Sequence, residues 1–128
     1  MKTINVVAAV IRDGDRIYAT QRGYGEFKGG WEFPGGKIEA GESAQEALVR
    51  EIHEELDASI CVGELIDTVE YDYPTFHLSM QVFWARLNDS HLCLKEHMAA
   101  SWVNAEQMNA LAWLPADLGL VEKIKASL

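Results

Sequence analysis

The sequence predicts an α+β domain, and three observations carry that reading. A continuous, β-branched run, TINVVAAVIR (3–12), has the character of a buried strand. The fourteen residues SAQEALVREIHEEL (43–56) contain no helix breaker. Two further strand-like runs, 59–73 and 76–87, lead into a helical C-terminus, so the order is strands, helix, strands, helix. At 128 residues the chain is expected to fold as one domain, 1–128, with a real core and no room for a second. No internal repeat, low-complexity run or linker interrupts it.

Taken in order, the first strand ends at Asp13-Gly14-Asp15, a hairpin turn, and RIYATQR (16–22) alternates as its partner. A loop rich in glycine and aromatics, Gly23–Gly30, follows. Trp31–Gly36 reads as one short strand delivering the chain to the helix. After the helix, Tyr73-Pro74-Thr75 is the expected hairpin between the runs 59–73 and 76–87. Tyr73, Phe76 and His77 cluster there, either capping the hairpin or forming a lip over a pocket. Ala100–Val103 is a further strand, Asn104–Leu111 a short helix, and Leu118–Ser127 the last helix, with Asp117 suited to be its N-cap.

Charge narrows the function. The net charge of −9 argues against nucleic-acid binding, which needs a basic face. A polyanionic small substrate would then need a metal and a few local cations. Cys61 and Cys93 give neither a disulfide framework nor a metal-ligand spacing, and both are expected to be buried thiols. Nothing resembles a signal peptide or a membrane span, so no membrane partner is expected and the cytoplasm is the default location.

The chemistry concentrates between Gly36 and Ala58. Ser43 and Glu46 have the spacing of a capping box. At about 100° per residue, Ala44, Ala47, Leu48, Ile52 and Leu56 share one broad arc. Glu51 and Glu55 fall inside that arc and Glu54 on its edge, which points these carboxylates toward the protein. Glu51 and Glu55 repel as an i,i+4 pair, and Glu54 and Glu55 stand where the helix dipole disfavours negative charge. A hard divalent cation removes both penalties, and oxygen ligands suit Mg²⁺, with Mn²⁺ the alternative. The plainer reading is a solvated acidic helix stabilised by Arg50 and lysines.

Gly36, Glu42 and Arg50-Glu51-Ile52-His53-Glu54-Glu55, at these spacings, resemble the motif of the Nudix hydrolases. One position departs: Asp57 stands where the family usually has glycine, a change that bears on how the helix ends and not on the acids. The resemblance implies a Nudix fold, an α/β/α sandwich around a mixed β-sheet. It implies metal ligands at the Gly35 carbonyl, Glu51, Glu54, Glu55 and Glu96. Either Glu51 or Glu96 would take a proton from water, with Arg50 orienting the glutamates.

For the MutT-like members it also implies that Arg22 holds phosphates or base, that Phe33 borders the base, and that Asp117 occupies the base-reading position. Each has a plainer alternative: a surface charge for Arg22, a core aromatic for Phe33, an exposed acid for Glu96, an N-cap for Asp117. Lys37, beside the glycine turn, could pair with the acids or with a phosphate, and Tyr73 could line the base pocket.

The implied reaction is hydrolysis of a nucleoside triphosphate to monophosphate and pyrophosphate, the expected partner being a small nucleotide and the chain a monomer or homodimer. The alternatives are a diphosphate hydrolase of nucleotide sugars or dinucleotides, and a silent nucleotide-binding regulatory domain; the latter would be expected to lack the glutamates present here. An ionised Asp117 only accepts hydrogen bonds, which suits the cytosine N4 amine. Val6-Val7-Ala8-Ala9, Lys95-Glu96-His97 and Pro115-Ala116-Asp117 resemble the family's branch acting on cytosine triphosphates. The adjacent N1–H and N2 donors of 8-oxo-dGTP are the alternative.

Overall fold

Strand β1 (Lys2–Asp13) is the axis of the structure, because its side chains are buried on both faces from Val7 to Ile11. The computed structural model describes residues 2–23, 25, 27–89, 92, 93 and 97–128, His97 and Met98 by their backbone alone. β1 lies parallel to β6 (Phe76–Leu87) from Lys2↔Phe76 to Ile11↔Ala85, and antiparallel to both β4 (Gly35–Lys37) and the start of β2 (Arg16–Arg22). β5 (Ile60–Asp72) pairs with the outer side of β6, while β3 (Trp31–Glu32) and β7 (His97–Val103) both pair with β2. The sheet is therefore mixed, and each face is covered by helix.

Alternation along β1 divides the core. Val7, Ala9 and Ile11 meet Ala47, Leu48, Ile52 and Leu56 of α1 (Ala44–Leu56), together with Phe83 and Ala85 of β6. Ala8 and Val10 point the other way, to Ala116, Leu120, Val121 and Ile124 of α3 (Pro115–Ser127) and to Met108 of α2 (Ala105–Met108). A strand buried on both faces reads as an unbroken apolar run, which is why β1 is continuous rather than alternating in the sequence. The result is an α/β/α sandwich around a mixed sheet.

The start and stop of α1 follow from its local chemistry. Ser43 accepts from the Glu46 N–H at 3.1 Å and the Glu46 carboxylate accepts from the Ser43 N–H at 2.8 Å. The helix ends at Asp57, which takes the left-handed conformation (φ 51°) and donates its N–H to the His53 carbonyl at 3.0 Å. Glycine would take that conformation without the cost of about 1 kcal/mol that a Cβ carries there.

Several sequence expectations are corrected. Trp31–Gly36 is not one strand: Phe33-Pro34 breaks it, so β3 pairs with β2 and β4 crosses to β1. The Asn104–Leu111 helix shortens to Ala105–Met108 behind an Asn104 cap. Cys61 and Cys93 are exposed, because the alternation of β5 turns Cys61 away from the α1 core and Cys93 lies outside any strand. Asp117 does not cap α3. That helix starts three residues earlier than expected, at Pro115 behind Leu114, since proline suits the first helical position, and Asp117 falls inside the first turn with its side chain buried.

Candidate active site

A cavity of about 440 Å³ opens between the glycine turn and the start of α3. Its walls come from both faces of the sheet: Gly35, Gly36, Lys37 and Glu55 on one side, Arg22, Glu32, Phe33, Tyr73 and Asp117 on the other.

The glycine turn is built to close tolerances. A Cβ on Gly35 would run into the Val7 carbonyl of β1, so glycine is what lets β4 lie against β1. A Cβ on Gly36 would overlap the Glu51 carboxylate instead. The missing side chain of Gly36 is thus the seat of the Glu51 carboxylate, which is largely buried there at 15% exposure. One turn further along α1, the Glu55 carboxylate reaches the cavity wall with its Oε2 buried.

Arg50 gathers the surrounding acids. Its Nε and Nη2 donate to the two oxygens of Glu42 at 2.7 and 2.9 Å, and its Nη1 reaches Glu51 at 2.8 Å and Glu54 at 3.2 Å. Nη2 also donates to the Lys37 carbonyl at 3.0 Å, which ties α1 to β4. The fork geometry of a guanidinium matches this two-oxygen contact. Hydrogen bonding from Arg50, with a further backbone bond in the Glu39 turn, pulls the Glu42 carboxyl down to about 2. The same acids push the Arg50 guanidinium up, Glu42 most.

The opposite wall is a second charged group. Arg22 makes a two-point contact with Glu32, Nε to Oε2 at 3.0 Å and Nη2 to Oε1 at 2.7 Å. Asp117 lies beside this pair, 4% exposed and near the Phe33 amide. Burial, and then the charge of Glu32, push its carboxyl well above the usual range, with the Phe33 amide and Arg22 opposing. Phe33 stacks on Trp113 at 4.8 Å, and Tyr73 packs against Phe27, Tyr71 and Phe76 at 4.8–5.2 Å.

Residues 1–124 match the family described as the NUDIX domain. The chain belongs to the Nudix family. It is 36% identical over 129 residues to the CTP pyrophosphohydrolase of Escherichia coli K12, covering 98% of this chain and 94% of that protein. It is 33% identical over 125 residues to the 8-oxo-dGTP diphosphatase of Haemophilus influenzae, covering 96% and 92%. Among solved structures, the solution structure of the E. coli ORF135 protein superposes with a TM-score of 0.84 at 35% identity, over 98% of this chain and 91% of that one. The chain is therefore a Nudix hydrolase with the Nudix fold.

The residues singled out in the sequence fall into three groups. Gly35, Lys37, Glu55, Arg22, Phe33, Tyr73 and Asp117 line one cavity, and Glu51 packs on its Gly36 wall. Glu54 does not point inward: its side chain is 56% exposed and meets Arg50, because its position on the edge of the helix arc turns it to the side. Among the described residues no three His, Cys, Asp or Glu side chains are gathered around a common point. Glu96 lies outside the described residues.

Lys37 forms no ion pair among the described residues, its carbonyl rather than its ammonium being the group in use. Both Phe33 and Tyr73 belong to the core as well as to the cavity wall. His77 pairs with Asp72 at 2.6 Å and Glu70 at 3.5 Å rather than with any metal-binding set.

Glu32 is the residue that sequence reasoning missed. Its signal is positional: with Thr20 opposite Glu32 in the β2–β3 pair, Arg22 is its diagonal neighbour, within reach of a long side chain. That signal exists only once the Trp31–Gly36 segment is divided into two strands.

Proposed function

We propose that the chain hydrolyses (deoxy)nucleoside triphosphates to the monophosphate and pyrophosphate, with cytosine nucleotides preferred. The observation that supports this most is the single cavity walled by the glycine turn and Glu55 on one side and by Asp117 with the Arg22–Glu32 pair on the other. That division suits a molecule with a polyphosphate at one end and a hydrogen-bonding base at the other. The relatives named for CTP and 8-oxo-dGTP agree with the class.

The donors on the phosphate side are hard oxygens, those of Glu51 and Glu55 with the Gly35 carbonyl, while Glu54 is held to the side by Arg50. This donor set fits Mg²⁺, and Mn²⁺ as its substitute, which when bound would neutralise charge on the phosphates. Glu51 is held ready by Gly36 and Arg50, so that Arg50 is a positioning residue. A carboxylate, Glu51 or Glu96, takes the proton of the attacking water. Lys37, whose ammonium forms no ion pair among the described residues, is available to the polyphosphate.

The base reading changes once Asp117 is buried. An acceptor-only carboxylate was expected from the sequence; burial and Glu32 oppose its ionisation, and in the neutral form so favoured a carboxyl donates as well as accepts. A neutral acid pairs with a base edge that offers one acceptor beside one donor, which cytosine does at N3 and N4. Guanine's N1–H and N2 amine are two donors and match an ionised acid instead. A second reading, hydrolysis of 8-oxo-dGTP, keeps its support from the relatives carrying that name.

The test is kcat/KM for dCTP, 8-oxo-dGTP, dGTP and dATP with Mg²⁺, in the wild type and in Asp117→Asn. Asparagine also donates and accepts, so dCTP hydrolysis should survive within about tenfold, while a substrate read by an ionised Asp117 should lose roughly 1–3 kcal/mol. Products other than monophosphate and pyrophosphate, or no triphosphate turnover, would overturn the reaction.

A further inference from the structure

At the far end of the sheet from this cavity lies a second one, of about 250 Å³, lined by Arg12, Cys61, Gly63, Trp84, Ala85 and Arg86. The two cavities share no wall. Arg12 is four residues beyond Ala8 on β1, roughly 13 Å along the strand. The floor is the α3 face of the sheet just past the last turn of α3, where the Ser127 carbonyl accepts from Arg12 Nη1 at 3.1 Å.

The sheet register brings two positive charges together there. β1 and β6 run parallel with Ile11 opposite Ala85, so Arg12 and Arg86 stand one residue further on, side by side on the same face. Like charges on adjacent strands repel. Arg12 is held in place despite this: its Nε donates to the Gly14 carbonyl at 2.8 Å, its Nη1 to Ser127, and its guanidinium sits 5.5 Å over the Trp84 ring. Arg86 is exposed, has Cys61 as its cross-strand partner, and forms no ion pair among the described residues. In a chain of net charge −9, two guanidiniums lining one cavity with no acid among its described lining residues are the reverse of the general surface.

The rest of the wall is apolar and flat. Trp84 is half-buried at its inner side, and Gly63 faces it across the β5–β6 pair, where a Cβ would stand 3.2 Å from the Trp84 carbonyl. The absence of a side chain at Gly63 keeps the cleft beside the indole open.

We infer that this cleft binds a small organic anion, its phosphate or carboxylate head between Arg12 and Arg86 and its flat body against the Trp84 indole. An anion relieves the repulsion between the guanidiniums, and the volume takes a single ring with its head group but not a nucleoside triphosphate. The site is separate from the hydrolytic cavity, so its occupancy is read independently of the proposed reaction.

The experiment uses the full chain and follows the Trp84 indole and the backbone amides of Cys61, Gly63 and Arg86 by two-dimensional NMR. Phenyl phosphate and benzoate are titrated separately, with phenol as the uncharged control. Saturable shifts at those four groups are expected with at least one anion, and Arg86→Gln should weaken that binding tenfold or more while Arg86→Lys restores part of it. A preference for phenyl phosphate identifies a phosphate head and a preference for benzoate a carboxylate head; both outcomes uphold the site.

Three results overturn it: equal shifts with phenol, shifts that grow linearly without saturation for both anions, or unchanged affinity in Arg86→Gln. Arg86 is exposed and forms no ion pair among the described residues, so its replacement should leave the fold intact, which the same spectra report.

Discussion

Replacing Gly36 by alanine tests the link between the glycine turn and the first glutamate of the helix motif. The added Cβ would overlap both oxygens and the Cδ of Glu51. The colliding atoms end a side chain rather than a backbone, so relief comes by moving Glu51 out of its seat. Overpacking of this kind costs about 1–3 kcal/mol. Losing the 2.8 Å contact between Arg50 and Glu51, a partly exposed pair, adds at most about 1 kcal/mol. The backbone at Gly36 is in a strand and not in the left-handed region, so alanine carries no conformational strain there.

That gives a prediction in two backgrounds. In the wild type, Gly36→Ala should destabilise by roughly 1–3 kcal/mol in urea denaturation. In Glu51→Ala, where the obstruction has been removed, the same change should be neutral or stabilise by about 0.4–1 kcal/mol, because alanine restricts the unfolded chain. The coupling between the two positions is then larger than the cost of either ordinary surface change, and it has a definite sign. Gly36→Ala should also lower kcat well beyond its effect on stability, since the displaced group is the proposed base or metal ligand. An equal cost in both backgrounds would refute the reasoning, because the clash would then be with something other than Glu51.

Arg50→Gln should change the acid limb of the stability curve: Glu42, held down to about 2 by Arg50, contributes stability present above its unfolded value near 4.5 and lost as pH falls toward 2, so the variant should lose less between those pH values than the wild type does. His77 behaves oppositely. Asp72 most, and then Glu70, raise its pKa, so its contribution is present below about pH 6.5 and fades as pH rises through the raised folded value; melting curves from pH 5.5 to 8.5 should show that loss in the wild type and not in His77→Gln. Mg²⁺ should stabilise the fold by about 2.7 kcal/mol at a hundredfold excess over its dissociation constant. Glu55→Gln should reduce that stabilisation and cut turnover by orders of magnitude, and calorimetric melts with and without Mg²⁺ check the first part without any substrate.

How much of this was legible in the sequence depends on whether a signal is local. The ends of α1 were legible because both are set within four residues, by the Ser43–Glu46 box and by Asp57 tolerating a left-handed turn. β1 and β2 were legible because hydrophobic continuity and a Gly14 turn need no tertiary information. The orienting role expected of Arg50 was only partly local: its contacts with Glu51 and Glu54 lie within the helix, but its two-point contact with Glu42, before the helix, and its bond to the Lys37 carbonyl on β4 are made only once the loop closes.

Asp117 shows where sequence reasoning stops. An aspartate after Pro115-Ala116 satisfies the local rule for an N-cap, and Pro115, suited to the first helical position, is the one local signal for an earlier start. What decides its role is long-range: Leu114 hydrogen-bonds to Trp31, Phe33 stacks on Trp113, and these contacts dock the start of α3 against β3 so that the carboxyl meets the Phe33 amide. Glu32 enters by the same route: Pro34 marks the strand break, but only the pairing of β3 with β2 brings Glu32 within reach of Arg22. The glycine turn and α1, one loop and one helix, were therefore legible from local signals, whereas on the opposite wall Arg22, Tyr73 and Asp117 were singled out only through the family resemblance and Glu32 was missed, because that wall is assembled across some hundred residues of chain. A motif contiguous in sequence can mark one wall of a cavity; the residues of the opposite wall are scattered, and their positions are set by packing.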